Sequence, residues 1–165
     1  MTHIYVEGDS KLRNGFQKLF ERFAFLKIIL CDDKDNTRKV WNKHKGSQGD
    51  RHLLLIDSDG PVSSGPAEDD FFMVQEMESW FLVDSKILKT YYGDDFNHNS
   101  IPKRPVEEIP DPKECLKDAT KTTKKGRYHE VLHGGDLLKL IDLEIVRKKA
   151  PNLDRLVRRL EDEKS

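Results

Sequence analysis

The sequence predicts an α/β fold in which a mostly parallel sheet is flanked by helices and followed by a helical C-terminal extension. Four short apolar runs have the length of strands, and they are apolar throughout instead of alternating with polar residues. Segments with the spacing of amphipathic helices separate them. Strands that are buried on both faces and joined by helices are typical of parallel sheets covered on both sides.

The predicted elements follow one another in strand–helix order. Strands are expected at residues 3–6, 26–31, 52–56 and 71–74. The first helix is expected after Ser10, a short one around Trp41, and another from Gln75 onward. Further helices are expected at residues 113–122, 128–142 and 144–163, with Pro151 interrupting the last of them.

We expect one domain over residues 1–165, because a chain of 165 residues can form one sizeable core but is short for two. Residues 1–92 are predicted to form the α/β core, and residues 113–165 a basic helical extension. Between them, residues 93–112 contain four prolines that hinder a continuous helix, which predicts a surface connection.

Composition limits the partners and the compartment. The 29 Lys and Arg residues nearly balance the 30 Asp and Glu residues, although acidic residues dominate up to residue 113 and basic residues after it. Cys31 and Cys115 lack the spacing of metal ligands or of a disulfide framework. No apolar run reaches the roughly 20 residues that are needed to span a membrane. These observations predict a cytoplasmic protein with no membrane partner.

Acidic residues stand where the predicted strands end. Glu7 follows the first strand, Asp57 and Asp59 follow the third, and the fourth runs into Glu76. Open parallel sheets bind ligands beyond the carboxyl ends of their strands, so we expect these side chains to converge. Crowded carboxylates repel one another unless a cation neutralises them. These four acids are the predicted catalytic residues.

Ligands that are all oxygen predict a hard divalent cation rather than zinc. Asp57 and Asp59 are expected to bind Mg²⁺ or Mn²⁺, while Glu7 either completes the metal site or acts as a general acid or base. Gly8 would let the backbone turn sharply and approach a phosphate closely. The set predicts metal-dependent chemistry on phosphodiesters.

Four segments carry a resemblance to a known family: IYVEG, LLLIDSDGP, MVQEMESWFLVD and KKGRYH. In this order they resemble the Toprim-like family called domain of unknown function four-two-seven-six. The pairing of Glu7 with Asp57 and Asp59 is similar to the signature of Toprim domains, which occur in topoisomerases, primases and overcoming-lysogenization-defect nucleases. The resemblance implies a Toprim-like, Rossmann-like fold. By analogy with those nucleases, it also implies bacterial anti-phage defence or mobile-element biology with an ATPase partner.

Each acid also has a purely structural interpretation. Asp9 and Ser10 are favoured helix-capping residues, so they are expected to cap the first helix. Residues 57–60 have the composition of an ordinary polar turn. Glu76 could be a solvated residue in the first turn of a helix. A Toprim-like module without catalysis, serving as a binding or regulatory subunit, is therefore the alternative to a nuclease.

Residues 129–133 read His-Glu-Val-Leu-His and match the zinc-protease pattern H-E-x-x-H. Such a motif needs the middle of a firm helix, but Gly126 precedes it closely and Gly134 follows it directly. Zinc hydrolysis through His129, Glu130 and His133 is therefore the third hypothesis.

A basic segment near residue 125 is the candidate for binding phosphate or nucleic acid. Its four cations are Lys121, Lys124, Lys125 and Arg127. Cationic side chains beside hydroxyls and a glycine suit phosphate oxygens, although a solvated helix end explains the same composition. Nucleic acid is the expected partner. DNA versus RNA, the number of metal ions and a homo-oligomeric state stay open.

Overall fold

The computed structural model describes residues 1–62 and 68–164 and has the predicted α/β architecture. One parallel sheet contains β1 (Thr2–Val6), β2 (Leu26–Leu30), β3 (Arg51–Asp57) and β4 (Asp70–Met73). The α-helices of the described part are α1 (Arg13–Leu19), α2 (Lys34–His44), α3 (Ser85–Tyr92), α4 (Pro112–Thr120), α5 (Gly135–Leu140), α6 (Leu143–Arg147) and α7 (Pro151–Lys164). The prediction of a parallel, helix-flanked sheet is confirmed.

The order of the strands across the sheet is β2-β1-β3-β4, and every neighbouring pair is parallel. The chain passes from β1 through α1 to β2 on one side, and returns through α2 to β3 on the other side of β1. Because such crossovers are almost always right-handed, α1 and α2 cover opposite faces of the sheet. The direction of winding reverses between β1 and β3. This is the switch point at which open α/β sheets bind ligands.

One hydrophobic core joins the sheet to the C-terminal helices. The four apolar residues at the centre of β3 are at most 1% exposed, as expected for a strand with helices on both faces. Trp80 is fully buried and meets Phe16 edge-on, with 6.3 Å between ring centroids. Residues 1–92 and residues 113–164 therefore share apolar side chains in a single cluster.

Helix α7 packs against β4 through an apolar face: Leu153, Leu156, Val157 and Leu160. The prediction of a helix in the last part of residues 144–163 is confirmed. The guanidinium of Arg155 lies 4.0 Å from the centre of the Phe71 ring, which adds a cation–π contact to the interface. The interruption predicted at Pro151 is present: α6 ends at Arg147, and Pro151 begins α7, because the first helical position needs no backbone N–H donor.

Two other predicted helices differ from the structure. From Gln75 onward the chain forms only a short 3-10 helix, Met77–Trp80, before Asp84 starts α3 by accepting a hydrogen bond from the Lys86 N–H. The helix predicted over 128–142 begins with a π-helical turn, Glu130–Gly134, and continues as α5. No helix in the described ranges is long and apolar enough to cross a membrane.

Gly15 is expected to be intolerant of a side chain, because α1 and α5 approach closely there. A Cβ at this position would lie 2.7 Å from the Gly135 carbonyl oxygen and 2.8 Å from the Leu138 Cβ. Gly15→Ala should therefore lower the free energy of unfolding by about 1–3 kcal/mol, measured by urea denaturation. Gly46→Ala is the control, since a Cβ there meets no atom of the described residues within 4 Å. Equal stability of the two variants would contradict this account of the helix contact.

Candidate functional site

A cavity of about 340 Å³ lies at the switch point, beyond the carboxyl ends of β1 and β3. Its lining comes from strand ends and from the C-terminal half of the chain: Glu7, Gly8, Asp9, Asp32, Asp33, Asp57, Met77, Lys113, Glu130 and Val131. Six of these ten residues are acidic. The cavity therefore lies where open α/β sheets bind ligands, and two of the predicted acids, Glu7 and Asp57, line it.

Glu7 and Asp57 form the centre of this site. Parallel pairing of β1 with β3 brings the two strand ends together, and the Glu7 N–H donates to the Leu55 carbonyl at 3.0 Å. The Asp57 N–H donates to Glu7 Oε1 at 3.0 Å, and the Met77 N–H donates to Asp57 Oδ1 at 2.8 Å. Each carboxylate is thus held by one backbone hydrogen bond. Its second oxygen accepts none from the described part of the protein.

Electrostatics disfavour the ionised form of both carboxylates. Burial raises the pKa of Asp57 well above its usual range, and the charges of Glu7 and Glu78 raise it further. Burial also raises the pKa of Glu7, although the Asp57 N–H and the charge of Lys34 partly counter this effect. A bound cation would reverse these shifts, because it stabilises both carboxylates in their charged form.

The backbone at Gly8 brings a further strand end into the cavity. Gly8 has a φ of +150°, and it exchanges backbone hydrogen bonds of 2.7 and 3.0 Å with Asp32, which lies just beyond β2. Asp33 then caps α2 by accepting from the Asn36 N–H at 2.7 Å. The predicted capping role of Asp9 is confirmed, since its carboxylate accepts from the Lys11 N–H at 2.8 Å.

Asp32 and Asp33 are site residues that the sequence interpretation missed. They come just after the apolar run that became β2, in the same way that Glu7 follows β1 and Asp57 ends β3. The rule that acids at strand ends converge would have found them if it had been applied to every strand.

The C-terminal half supplies a cation opposite the carboxylate pair. Lys113 lines the cavity, and its Nζ lies 3.6 Å from the Glu130 carboxylate. Burial lowers the pKa of Lys113, but the charges of Glu78 and Glu130 outweigh that effect and the pKa is raised. Glu76 does not line the cavity. One of its carboxylate oxygens accepts from the Lys113 backbone N–H at 3.3 Å.

Glu78 is a fully buried acid next to this lysine. One carboxylate oxygen accepts a 2.8 Å hydrogen bond from the Tyr128 hydroxyl. The other oxygen is buried and has no hydrogen-bond partner among the described residues. Burial raises the pKa of Glu78 to about 7, against the lowering effect of Lys113. The sequence interpretation favoured Glu76 over Glu78, because it could not see which of the two faces the interior.

Other predicted site residues lie outside the cavity lining. The carboxylate of Asp59 forms an ion pair with Lys34 and is mostly exposed. In the basic segment, Arg127 lies 3.7 Å from the Glu114 carboxylate. Lys125 lies over the Tyr91 ring at 4.5 Å. None of the four predicted phosphate-binding cations is among the described residues that line the cavity.

The histidines of the H-E-x-x-H motif have other partners. Nδ1 of His133 faces the Tyr92 hydroxyl at 3.1 Å and accepts from the His129 N–H at 3.2 Å. His129 accepts from the Leu132 N–H and caps the π-helical turn, so the motif does not lie in the middle of a regular α-helix.

The donor set fits Mg²⁺ or Mn²⁺ better than zinc. Among the residues that the structure describes, no group of three or more His, Cys, Asp or Glu side chains is arranged to hold a metal ion. Mg²⁺, however, is usually bound by one or two carboxylates together with waters and substrate phosphates. Glu7 and Asp57, each with one oxygen not occupied by a protein donor, meet that smaller requirement.

Comparison with known proteins identifies a family but no characterised relative. No curated protein and no solved structure matches the chain. Residues 68–161 match the family described as Domain of unknown function (DUF4276), and this range covers more than half of the sequence. It includes Glu76, Glu78, Lys113, Tyr128 and Glu130. The chain therefore belongs to the family Domain of unknown function (DUF4276).

Proposed function

We propose that this protein is a metal-dependent phosphodiesterase, a nuclease of the Toprim type, whose metal ligands are Glu7 and Asp57. The observation that carries the proposal is the carboxylate pair at the switch point, formed by the half-buried Glu7 and the buried Asp57, in which each acid has a raised pKa and one oxygen without a donor among the described residues. A divalent cation is the ligand that best stabilises two neighbouring carboxylates in their charged form.

The residues around the pair suit a phosphodiester. When bound, Mg²⁺ or Mn²⁺ would polarise a phosphoryl oxygen and lower the pKa of a water ligand. Lys113 presents a cation to the same cavity and would bind a phosphate oxygen. Gly8 lines the cavity without a side chain, which allows a phosphate to approach the backbone. Asp32 and Asp33 add negative charge that favours a divalent cation.

The proposal is tested by incubating the protein with single- and double-stranded DNA and RNA oligonucleotides. We expect cleavage with Mg²⁺ or Mn²⁺ and none in excess EDTA. Cleavage that persists in EDTA would contradict a metal-dependent mechanism. Zinc that restores activity where Mg²⁺ and Mn²⁺ fail would support the H-E-x-x-H hypothesis instead.

A second function is a non-catalytic binding or regulatory subunit, with an ATPase as its partner. Two facts favour it: no group of three metal ligands occurs in the described residues, and Asp59 pairs with Lys34 instead of lining the cavity. Stable co-purification with an ATPase, together with no measurable affinity for Mg²⁺ or Mn²⁺, would select this function over the nuclease.

A further inference from the structure

A second and larger cavity lies at the same edge of the sheet. This groove, about 930 Å³ in volume, is partly formed by Val74 and Gln75, which directly follow β4. The Gln75 carbonyl accepts a 2.9 Å hydrogen bond from the Asp59 N–H. The groove therefore begins beside the strand end that carries Asp57.

Two pairs of cations line the groove, and together they define what we call the basic groove: Lys103, Arg104, Lys148 and Lys149. The first pair comes from the proline-rich connection and the second follows α6, so the two pairs belong to separate segments. All four side chains are exposed. Within the described ranges, none of them forms an ion pair with a carboxylate. Their charges are therefore available to an external anion.

The acids of the groove do not cancel these cations. Both carboxylate oxygens of Glu107 accept hydrogen bonds from Asn152, at 2.9 Å from its backbone N–H and 2.8 Å from its side-chain amide. The Glu107 carboxylate thus accepts hydrogen bonds from the first turn of α7. Glu108 is the other acid of the lining, so four cations stand against two carboxylates and the lining has an excess of positive charge.

The rest of the lining favours contact with a backbone rather than with bases. Aliphatic residues such as Val106 form its apolar part, and no aromatic ring occurs among the described residues that line it. Sequence-tolerant binding of single strands usually combines a cationic track with base stacking on aromatic rings. Without such rings, phosphate contacts must dominate, and these position a strand without reading its sequence.

We propose that the basic groove binds the sugar–phosphate backbone of a nucleic-acid strand whose scissile phosphate lies in the cavity at Glu7 and Asp57. This inference rests on the proposed nuclease function and identifies the surface that binds the substrate strand. β1 and β4 are separated by two strand spacings, about 10 Å, which about three nucleotides of a strand span. One strand can therefore contact both cavities.

Binding of a short fluorescent single-stranded oligonucleotide in EDTA tests the groove apart from catalysis, because no metal-dependent cleavage occurs there. The variant Lys103→Ala, Arg104→Ala, Lys148→Ala, Lys149→Ala should bind about a hundredfold more weakly near 0.1 M salt. The slope of log K against log salt should fall by about 3, since each phosphate contact contributes about 0.7. Base composition should change the affinity little.

The matched control removes the same number of positive charges from the basic segment: Lys121→Ala, Lys124→Ala, Lys125→Ala and Arg127→Ala. It should keep most of the affinity, and thermal unfolding should show both variants folded.

Three results would overturn the inference: equal binding by the wild type and the groove variant, a larger loss in the control, or no binding by the wild type. So would an oligoglutamate of equal charge that binds the groove as tightly as the oligonucleotide. Loss of binding in the groove variant, with no cleavage by the wild type under any condition, would uphold the groove and refute the nuclease.

Discussion

Asp57→Asn should reduce metal-dependent cleavage on the order of a thousandfold, because a bound metal contributes several kcal/mol to the stabilisation of a phosphoryl transition state. Asn keeps an oxygen in the place of Oδ1, so the hydrogen bond from the Met77 N–H survives. The substitution removes the negative charge and leaves the fold in place. Initial rates at saturating Mn²⁺ measure the effect.

The same substitution should raise the thermal midpoint of the metal-free protein at pH 8. Burial and the charges of Glu7 and Glu78 disfavour the ionised form of Asp57, so its removal relieves repulsion in the folded state. A residue that is kept for function at a cost in stability has this signature.

Asp59→Asn is the control for the cleavage rate, because Asp59 is paired with Lys34 outside the cavity lining. This variant should lose less than about tenfold in rate. Equal losses in the two variants would contradict the assignment of Asp57.

Glu78→Gln should remove a large part of the pH dependence of stability. Because burial raises the pKa of Glu78 from its ordinary 4.5 to about 7, the folded protein binds this proton more tightly than the unfolded chain does. The stabilisation is complete below pH 4.5 and is lost as the pH rises through about 7. Urea unfolding between pH 4 and pH 8 should show a flatter profile for the variant.

Tyr128→Phe provides the comparison for Glu78→Gln. The Tyr128 hydroxyl donates to Glu78 and lowers the pKa of its carboxyl group, so its removal should move the loss of stability to higher pH. The two substitutions therefore change the pH profile in different ways. Identical profiles for wild type and Glu78→Gln would show that this carboxyl group does not control the dependence.

The core of the fold was predictable because its signals are local. Each strand is an apolar run of strand length, and the first helix between strands carries an apolar stripe, so the parallel sheet followed from the pattern alone. The predicted type of an element was wrong where tertiary contacts override the local conformational preference. Met77 donates its N–H to Asp57 across the molecule, and the segment after Gln75 forms a 3-10 turn instead of the expected helix.

The site was predictable only in part. Glu7 and Asp57 were found because acids at strand ends converge in any parallel sheet. Lys113 and Glu130 could not be found in this way, because they come from helical segments whose position against the sheet depends on packing in the C-terminal half. The cations of the basic groove were equally hidden, since Lys103 and Lys148 lie far apart in sequence.

The central claim is that Glu7 and Asp57 bind a divalent cation. The most direct test is titration of the wild type with Mg²⁺ or Mn²⁺, following the thermal midpoint, beside the double variant Glu7→Gln, Asp57→Asn. Binding to the folded state should stabilise the wild type, by about 3 kcal/mol at a hundred times the dissociation constant, and should leave the double variant unchanged. A wild-type midpoint that neither ion raises would contradict the metal site and with it the proposed nuclease.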